Sequence, residues 1–280
     1  MKKLIYFLFT KSIGVYINTL SFVFPKKASR LAYALFSEPR DGKLHKDKLP
    51  EILSKAEAET FHLDGDSIQT YTWKGNKNTI LLVHGWESNA SRWETMLPYL
   101  QKSGSTIIAI DAPAHGLSSG KEFNIPQYAA FIDIAVTKFK PQYLIGHSLG
   151  GKACLYYQSV YQNDILEKMV VLGSPSDFNI ILNNYINLLS LNKRIFKSLE
   201  AYYLDNFKLS LDQFSGKVFA SKLNIKGLIA HDFDDEIVRF EESQKIKSAW
   251  KNAVFIETKG LGHSMHDDQL YKTVSQFLFD

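Results

Sequence analysis

One serine of this chain stands where a nucleophile would be presented. Gly146-His147-Ser148-Leu149-Gly150-Gly151 follows the apolar run Tyr143-Leu144-Ile145 and precedes a helical pattern beginning Lys152-Ala153-Cys154-Leu155. A G-x-S-x-G turn between a buried strand and a helix lifts the serine oxygen to the strand's end. The flanking glycines leave room where side chains would collide. The helix N-terminus adds amide donors and partial positive charge beside a developing oxyanion. A serine hydroxyl alone is a weak nucleophile; it needs an imidazole to take its proton and a carboxylate to orient that imidazole. Three histidines follow Ser148: His231, His263 and His266. His263, in Gly260-Leu261-Gly262-His263-Ser264, falls in a loop between the last strand candidate and the closing helix, and is the expected base. His266 reads as a surface or capping residue and His231 as support for the acid's loop. For the acid, Asp232, Asp234, Asp235 and Glu236 follow one strand candidate, and Asp177 follows another.

Acyl transfer also requires donors aimed at the oxygen that gains charge. The Leu149 N–H, next after Ser148, is one. The expected second is the Trp86 N–H, in His84-Gly85-Trp86-Glu87 directly after Thr79 to Val83. Gly85 permits close approach of a substrate, and His84 is expected to fix this loop by hydrogen bonding. Apart from His263, His266 and Asp267, no cluster has metal-ligand spacing, and no metal is expected. Chemistry of this kind requires no cofactor.

The elements that must position these residues are legible as alternating runs. Thr79–Val83, Thr106–Ile110, Tyr143–Ile145, Met169–Leu172, Gly227–Ala230 and Ala253–Ile256 are apolar strand candidates. Helical spacing separates them, as in Tyr128, Phe131, Ile132, Ala135 and Phe139, and a closing helix carries Leu270, Val274 and Phe277. The alternation predicts a mostly parallel, doubly wound α/β sheet with helices on both faces. In such sheets ligands bind beyond the carboxyl ends of the strands. Residues 176–222 break the pattern with helical spacing and many aromatics, which predicts an inserted helical cap lining an apolar acyl pocket. Residues 37–48 read as a connector. The expected division is an N-terminal extension over residues 1–48 and a catalytic domain over 49–280 that carries the cap.

Over residues 49–280 these landmarks together resemble the α/β-hydrolase superfamily, serine-nucleophile branch. His84-Gly85-Trp86 resembles its oxyanion turn. Asp111-Ala112-Pro113-Ala114-His115-Gly116-Leu117-Ser118 resembles its D-x-P-G-x-G-x-S stretch, with Ala114 in place of a glycine. Gly146–Gly151 resembles its nucleophile elbow, Asp235-Glu236-Ile237-Val238 its acid loop and Gly262-His263 its histidine loop. The resemblance implies the α/β-hydrolase fold, the order serine, acid, histidine, and Asp235 as the acid, with Asp177 as the alternative. Ser148 disfavours the dehalogenase and epoxide hydrolase branches, which use Asp. Absence of a His-Gly-Gly-Pro stretch disfavours the proline iminopeptidase branch. The implied activity is hydrolysis of a carboxylic ester or thioester with an apolar acyl group, through an acyl-enzyme on Ser148. Thioesterases, lipid-acting hydrolases and carbon–carbon bond hydrolases use the same triad. A non-catalytic binding protein on this fold is the rival of a different class, and it would need no intact triad.

Composition narrows the rest. The chain has 280 residues, 45% hydrophobic and 22% charged, which excludes disorder over most of its length and a polytopic membrane protein. Its single cysteine, Cys154, allows no internal disulfide. The net charge of +4 is dispersed and does not point to nucleic acid. The expected partner is therefore a small ester or thioester, and the expected location is the cytoplasm. Residues 1–24 are strongly apolar and flanked by Lys2, Lys3, Lys26 and Lys27, with Lys11 inside. Three readings stand for this segment: a helix packed on its own domain, an interfacial membrane helix with those lysines towards anionic lipid, and a cleaved signal or single span.

Overall fold

Residues 2–280 are described by the structure, a computed structural model, with side chains from residue 5 onward. The lipid contacts expected of the Lys2 and Lys3 side chains lie outside the described residues. Two helices open the chain, α1 (Lys2–Val23) and α2 (Pro25–Ser37), and a short α3 (Glu51–Ser54) follows. Then come β1 (Glu57–Leu63), β2 (Asp66–Trp73), β3 (Thr79–Val83), α4 (Leu97–Gln101), β4 (Thr106–Ile110), α5 (Ile125–Phe139), β5 (Tyr143–His147), α6 (Leu149–Tyr161) and β6 (Lys168–Leu172). Helices α7 (Phe178–Leu189), α8 (Lys193–Phe207) and α9 (Gly216–Ala220) precede β7 (Lys226–Asp232), α10 (Phe240–Ala249), β8 (Ala253–Thr258) and α11 (Asp268–Phe279).

The eight strands form one sheet in the order β1-β2-β4-β3-β5-β6-β7-β8, parallel from β4 through β8. This is the mostly parallel, doubly wound sheet expected, with a helical segment inserted between β6 and β7. Central strands are apolar on both faces because both are covered. Ile80, Leu82, Ile107, Ala109, Ile145 and Val170 share a core with Trp93, Leu97, Leu270 and Val274. The alternate residues Leu81, Ile108, Leu144 and Val171 are equally buried, on the face met by α5 and α6. Strand order reverses around β3, which has β4 on one side and β5 on the other. A reversal of this kind opens a crevice at the carboxyl ends, and Ser148 lies directly after β5.

The antiparallel pair β1–β2 was not among the strands expected. Its outer strand carries charge and is mostly exposed, so it lacks the apolar run that marks a buried strand. Asp64-Gly65 joins the two strands with φ of 49° and 91°, the two-residue hairpin turn that such a dipeptide favours.

The chain divides into two compact units, residues 1–38 with 177–215 and residues 39–176 with 216–280. In the first, α1 and α2 pack with α7 and α8. The inserted aromatics form this unit's own core with α2. Tyr33 meets Tyr202 at 4.1 Å between ring centroids, Phe36 meets Tyr185 at 5.0 Å, and Phe178 meets Tyr203 at 4.5 Å and Phe214 at 5.0 Å. Asp177 Oδ1 accepts from Ser215 Oγ at 2.8 Å, which ties the two ends of the insertion together.

Candidate active site

Ser148 occupies the turn from β5 to α6 with φ 54° and ψ −126°, a backbone that residues other than glycine rarely adopt. Small neighbours permit it. A Cβ on Gly146 would lie 2.6 Å from Gly151 Cα, and one on Gly150 would lie 2.3 Å from the Val83 and His84 carbonyl oxygens. Helix α6 therefore sits directly on the ends of β5 and β3. The Ser148 N–H donates to Leu172 O at 2.8 Å, which fixes the turn to β6.

Two further loops meet the serine. His263, between β8 and α11, places Nε2 3.0 Å from Ser148 Oγ and Nδ1 2.7 Å from Asp235 Oδ2. Asp235 lies on the loop after β7 and is buried; its Oδ1 accepts the Ile237 and Val238 N–H groups, each at 2.9 Å. Burial alone would raise this carboxyl's pKa. The donors on it from His231, His263 and Val238 outweigh burial and hold it well below the usual carboxylate range. An ionised carboxylate only accepts, so the His263 proton is on Nδ1 and Nε2 is left to accept from the Ser148 hydroxyl. The structure thus brings Ser148, His263 and Asp235 together in one hydrogen-bonded line. Asp177 is engaged with Ser215 instead, and His266 Nδ1 lies 3.1 Å from Thr95 Oγ1. His231 is fully buried beside the acid, with Nε2 2.8 Å from Val238 O and 3.2 Å from Asp235 Oδ2. Among the described residues, no group of three or more His, Cys, Asp or Glu is placed to hold a metal ion.

The turn after β3 lies against the serine. A Cβ on Gly85 would come 2.8 Å from Ser148 Cβ and 3.3 Å from Oγ, so the Gly85 backbone borders the Ser148 side chain. Leu149 is the first residue of α6, where amides have no carbonyl partner within the helix. Two buried imidazoles set the β3 turn. His84 Nε2 accepts from the Ala112 N–H at 2.9 Å, so its proton is on Nδ1 and is donated to Gly85 O at 2.7 Å. His115 Nε2 accepts from the Glu87 N–H at 2.9 Å, and its Nδ1 donates to Pro113 O at 2.8 Å. Burial pushes His84 well below the usual imidazole range and His115 down to about 4, so both are neutral. Asp111 organises the same region by accepting from Ala90 N, Leu117 N and Tyr71 Oη.

Two positioning residues were not foreseen. Asp232, one of the four candidate carboxylates after the strand candidate Gly227–Ala230, accepts from Leu261 N and Gly262 N at 3.0 Å, Thr258 Oγ1 at 2.8 Å and Asp234 N at 3.0 Å. It couples the acid's loop to the histidine's loop. Its position at the end of β7, opposite the end of β8, was the available signal. His147 is buried and lies 4.9 Å from the His263 ring between centroids, with Nε2 2.7 Å from His263 O. A carbonyl only accepts, so this nitrogen carries the proton and braces the backbone of His263. Only its place next to Ser148 hinted at that role.

Comparison with known proteins identifies the fold. A family model described as alpha/beta hydrolase fold matches residues 78–246. A serine hydrolase-like protein of Danio rerio is 32% identical over 101 residues, which are 34% of this chain and 30% of that protein. The match thus spans less than a third of that relative's length. A bifunctional esterase/perhydrolase of Acinetobacter calcoaceticus is 25% identical over 66% of this chain and 85% of its own. Among solved structures, a bromoperoxidase from Bacillus anthracis superposes with a TM-score of 0.64 at 21% identity, over 80% of this chain and 100% of that one. A thioesterase domain from the curacin biosynthetic pathway gives 0.60 at 15% identity, over 80% of this chain and 99% of that one. These structural likenesses concern the fold.

Proposed function

The chain belongs to the alpha/beta hydrolase fold family, and from that premise we propose that it is a serine hydrolase cleaving a carboxylic ester or thioester through an acyl-enzyme on Ser148. The observation that carries this reading is the line Asp235–His263–Ser148, with contacts of 2.7 Å and 3.0 Å. His263 Nε2 takes the hydroxyl proton as Ser148 Oγ bonds to the substrate's carbonyl carbon. The carbonyl electron pair moves onto oxygen, where the Leu149 and Trp86 N–H groups stabilise it by about 3–4 kcal/mol per donor. Asp235 keeps the imidazole in the required tautomer and stabilises the imidazolium. Collapse of the intermediate expels the alcohol or thiol, which takes the proton from His263. Water, deprotonated by His263, then attacks the acyl-enzyme and releases the acid.

The acyl group is proposed to be apolar. The support is Trp86 at the oxyanion turn, half-buried with its indole against Phe123 at 5.5 Å between centroids. Of the inserted aromatics, Phe178, Tyr185, Tyr202, Tyr203 and Phe214 pack within the unit of residues 1–38 and 177–215 and carry no part of this support. The esterase named among the relatives agrees with an ester substrate. Turnover of p-nitrophenyl esters and acyl thioesters of graded chain length tests the proposal. Hydrolysis by the wild type and background rates for Ser148→Ala are expected. No turnover of any member, or equal rates for the variant, would overturn it.

A further inference from the structure

Helix α1 is turned inside out. Its buried residues are Thr10, Gly14, Ile17 and Ser21, a narrow stripe dominated by small and polar side chains. Gly14 lies against the end of α7, where an added Cβ would sit 1.6 Å from Leu189 O. Lys11 Nζ donates to Asn187 O at 3.1 Å, Leu188 O at 2.9 Å and Ser190 Oγ at 2.8 Å, capping the negative end of that helix. Asn18 donates to Ser190 O and accepts from the Asn192 N–H, and Asn192 reaches Ser21 Oγ. The helix thus turns its charge and much of its polarity inward. Every described side chain from Ile5 to Phe9 is 54–61% exposed, and Phe22, Val23 and Phe24 are 58–66% exposed. A surface helix of a water-soluble domain does the reverse.

This apolar surface is concentrated and bordered by positive charge. Of the 20 strongly exposed large apolar side chains described, 13 belong to the unit of residues 1–38 and 177–215. That unit's sequence holds ten Lys and Arg against five Asp and Glu, whereas the whole chain nets +4. Lys26, Lys27 and Arg30 follow the apolar end of α1, and Lys193, Arg194 and Lys197 line α8, all exposed. The Arg194 guanidinium lies 4.7 Å from the Phe22 ring centroid, so cationic and apolar groups share one surface.

We propose that this surface binds membranes containing anionic lipid. The exposed side of α1 enters the boundary between headgroups and acyl chains, and the basic residues of α2 and α8 meet the headgroups. The mode is interfacial: among the described residues no helix is long and apolar enough to cross a membrane. Lys11, the charge that interrupts the apolar segment, is no obstacle because its ammonium is turned onto the end of α7. A second copy of the chain is the poorer occupant, since it would bring the same positive charge onto this face.

Flotation of the full chain with vesicles tests this, using phosphatidylcholine alone and phosphatidylcholine mixed with phosphatidylglycerol. Wild type is expected to float with the mixed vesicles and to partition less as salt rises. Phe7→Ser/Phe9→Ser/Phe22→Ser is expected to lower the partition coefficient by at least about tenfold. Lys26→Glu/Lys27→Glu is expected to remove the preference for anionic vesicles. These side chains are exposed, so both variants should retain the wild-type circular dichroism and hydrolysis of a soluble ester. Absence of wild-type flotation, or flotation unaltered in the phenylalanine variant, would overturn the proposal. So would light scattering that shows a lipid-free dimer which the phenylalanine variant dissociates.

Discussion

Asp235 is the residue on which the site's electrostatics turn. It is buried, yet its carboxyl is held well below the usual range because donors from His231, His263 and the backbone converge on it. It is therefore ionised at neutral pH, and the part proposed for it is to fix a tautomer rather than to titrate. Asp235→Asn keeps the volume and removes the charge, which allows the His263 proton to move to Nε2. The expected loss in kcat is roughly 10⁴-fold across neutral and mildly alkaline pH, with an unchanged circular dichroism spectrum. Asp177→Asn, which alters only the base of the insertion, should leave kcat within a few-fold. A larger loss in the second variant would reassign the acid. Ser148 and His263 could be singled out in the sequence because each sits in a short motif next to a strand end, whereas Asp235 was preferred over its neighbours and Asp177 only through the resemblance of its loop to the family's acid loop. The roles of His147 and Asp232 were not legible, because they depend on contacts across 116 and 29–30 residues.

At the scale of elements, the site depends on the ends of β3, β5, β7 and β8 being held together. Asp232 does this for the last two, with one carboxylate accepting from both the acid's and the histidine's loops. Burial raises its pKa, but the Leu261, Thr258, Gly262 and Asp234 donors outweigh burial and leave it lowered. Asp232→Ala is expected to leave the loop of residues 260–265 without this anchor. Steady-state kinetics should show kcat reduced by one to two orders of magnitude with KM little changed, and hydrogen exchange should rise at Leu261 and Gly262. Unaltered kcat would show that the loop is positioned without it. The buried strands were readable from periodicity because they are apolar throughout. The hairpin β1–β2 was not, because an exposed, charged edge strand resembles a loop unless its Asp64-Gly65 turn is given weight.

For the whole molecule, three buried imidazoles give the fold a dependence on pH. Burial lowers His84 and His147 well below the usual range and His115 to about 4. In the unfolded chain each would titrate near ~6.5, so below that pH the unfolded state binds more protons and stability falls. Asp235 adds to the loss only at lower pH, since its stabilisation is present above ~3.9 and disappears below it. Asp111, whose carboxyl burial raises, acts in the opposite sense, but three imidazoles against one carboxyl set the sign. Urea unfolding is expected to show a midpoint that is flat from mildly alkaline to neutral pH and falls by pH ~5. A midpoint unchanged over that range would mean that these imidazoles accept protons in the folded state. The grouping of residues 1–38 with 177–215 was beyond reach of the sequence. The apolar face that periodicity marks on α1 faces outward, and its narrow polar stripe makes the contacts.

Reaction of the full chain with a fluorophosphonate probe, followed by intact mass and peptide mapping, tests the nucleophile most directly. One phosphonyl group on the peptide containing Ser148 is expected in the wild type, and none in Ser148→Ala. Labelling of neither protein, equal labelling of both, or modification of another residue would remove Ser148 from the role of nucleophile.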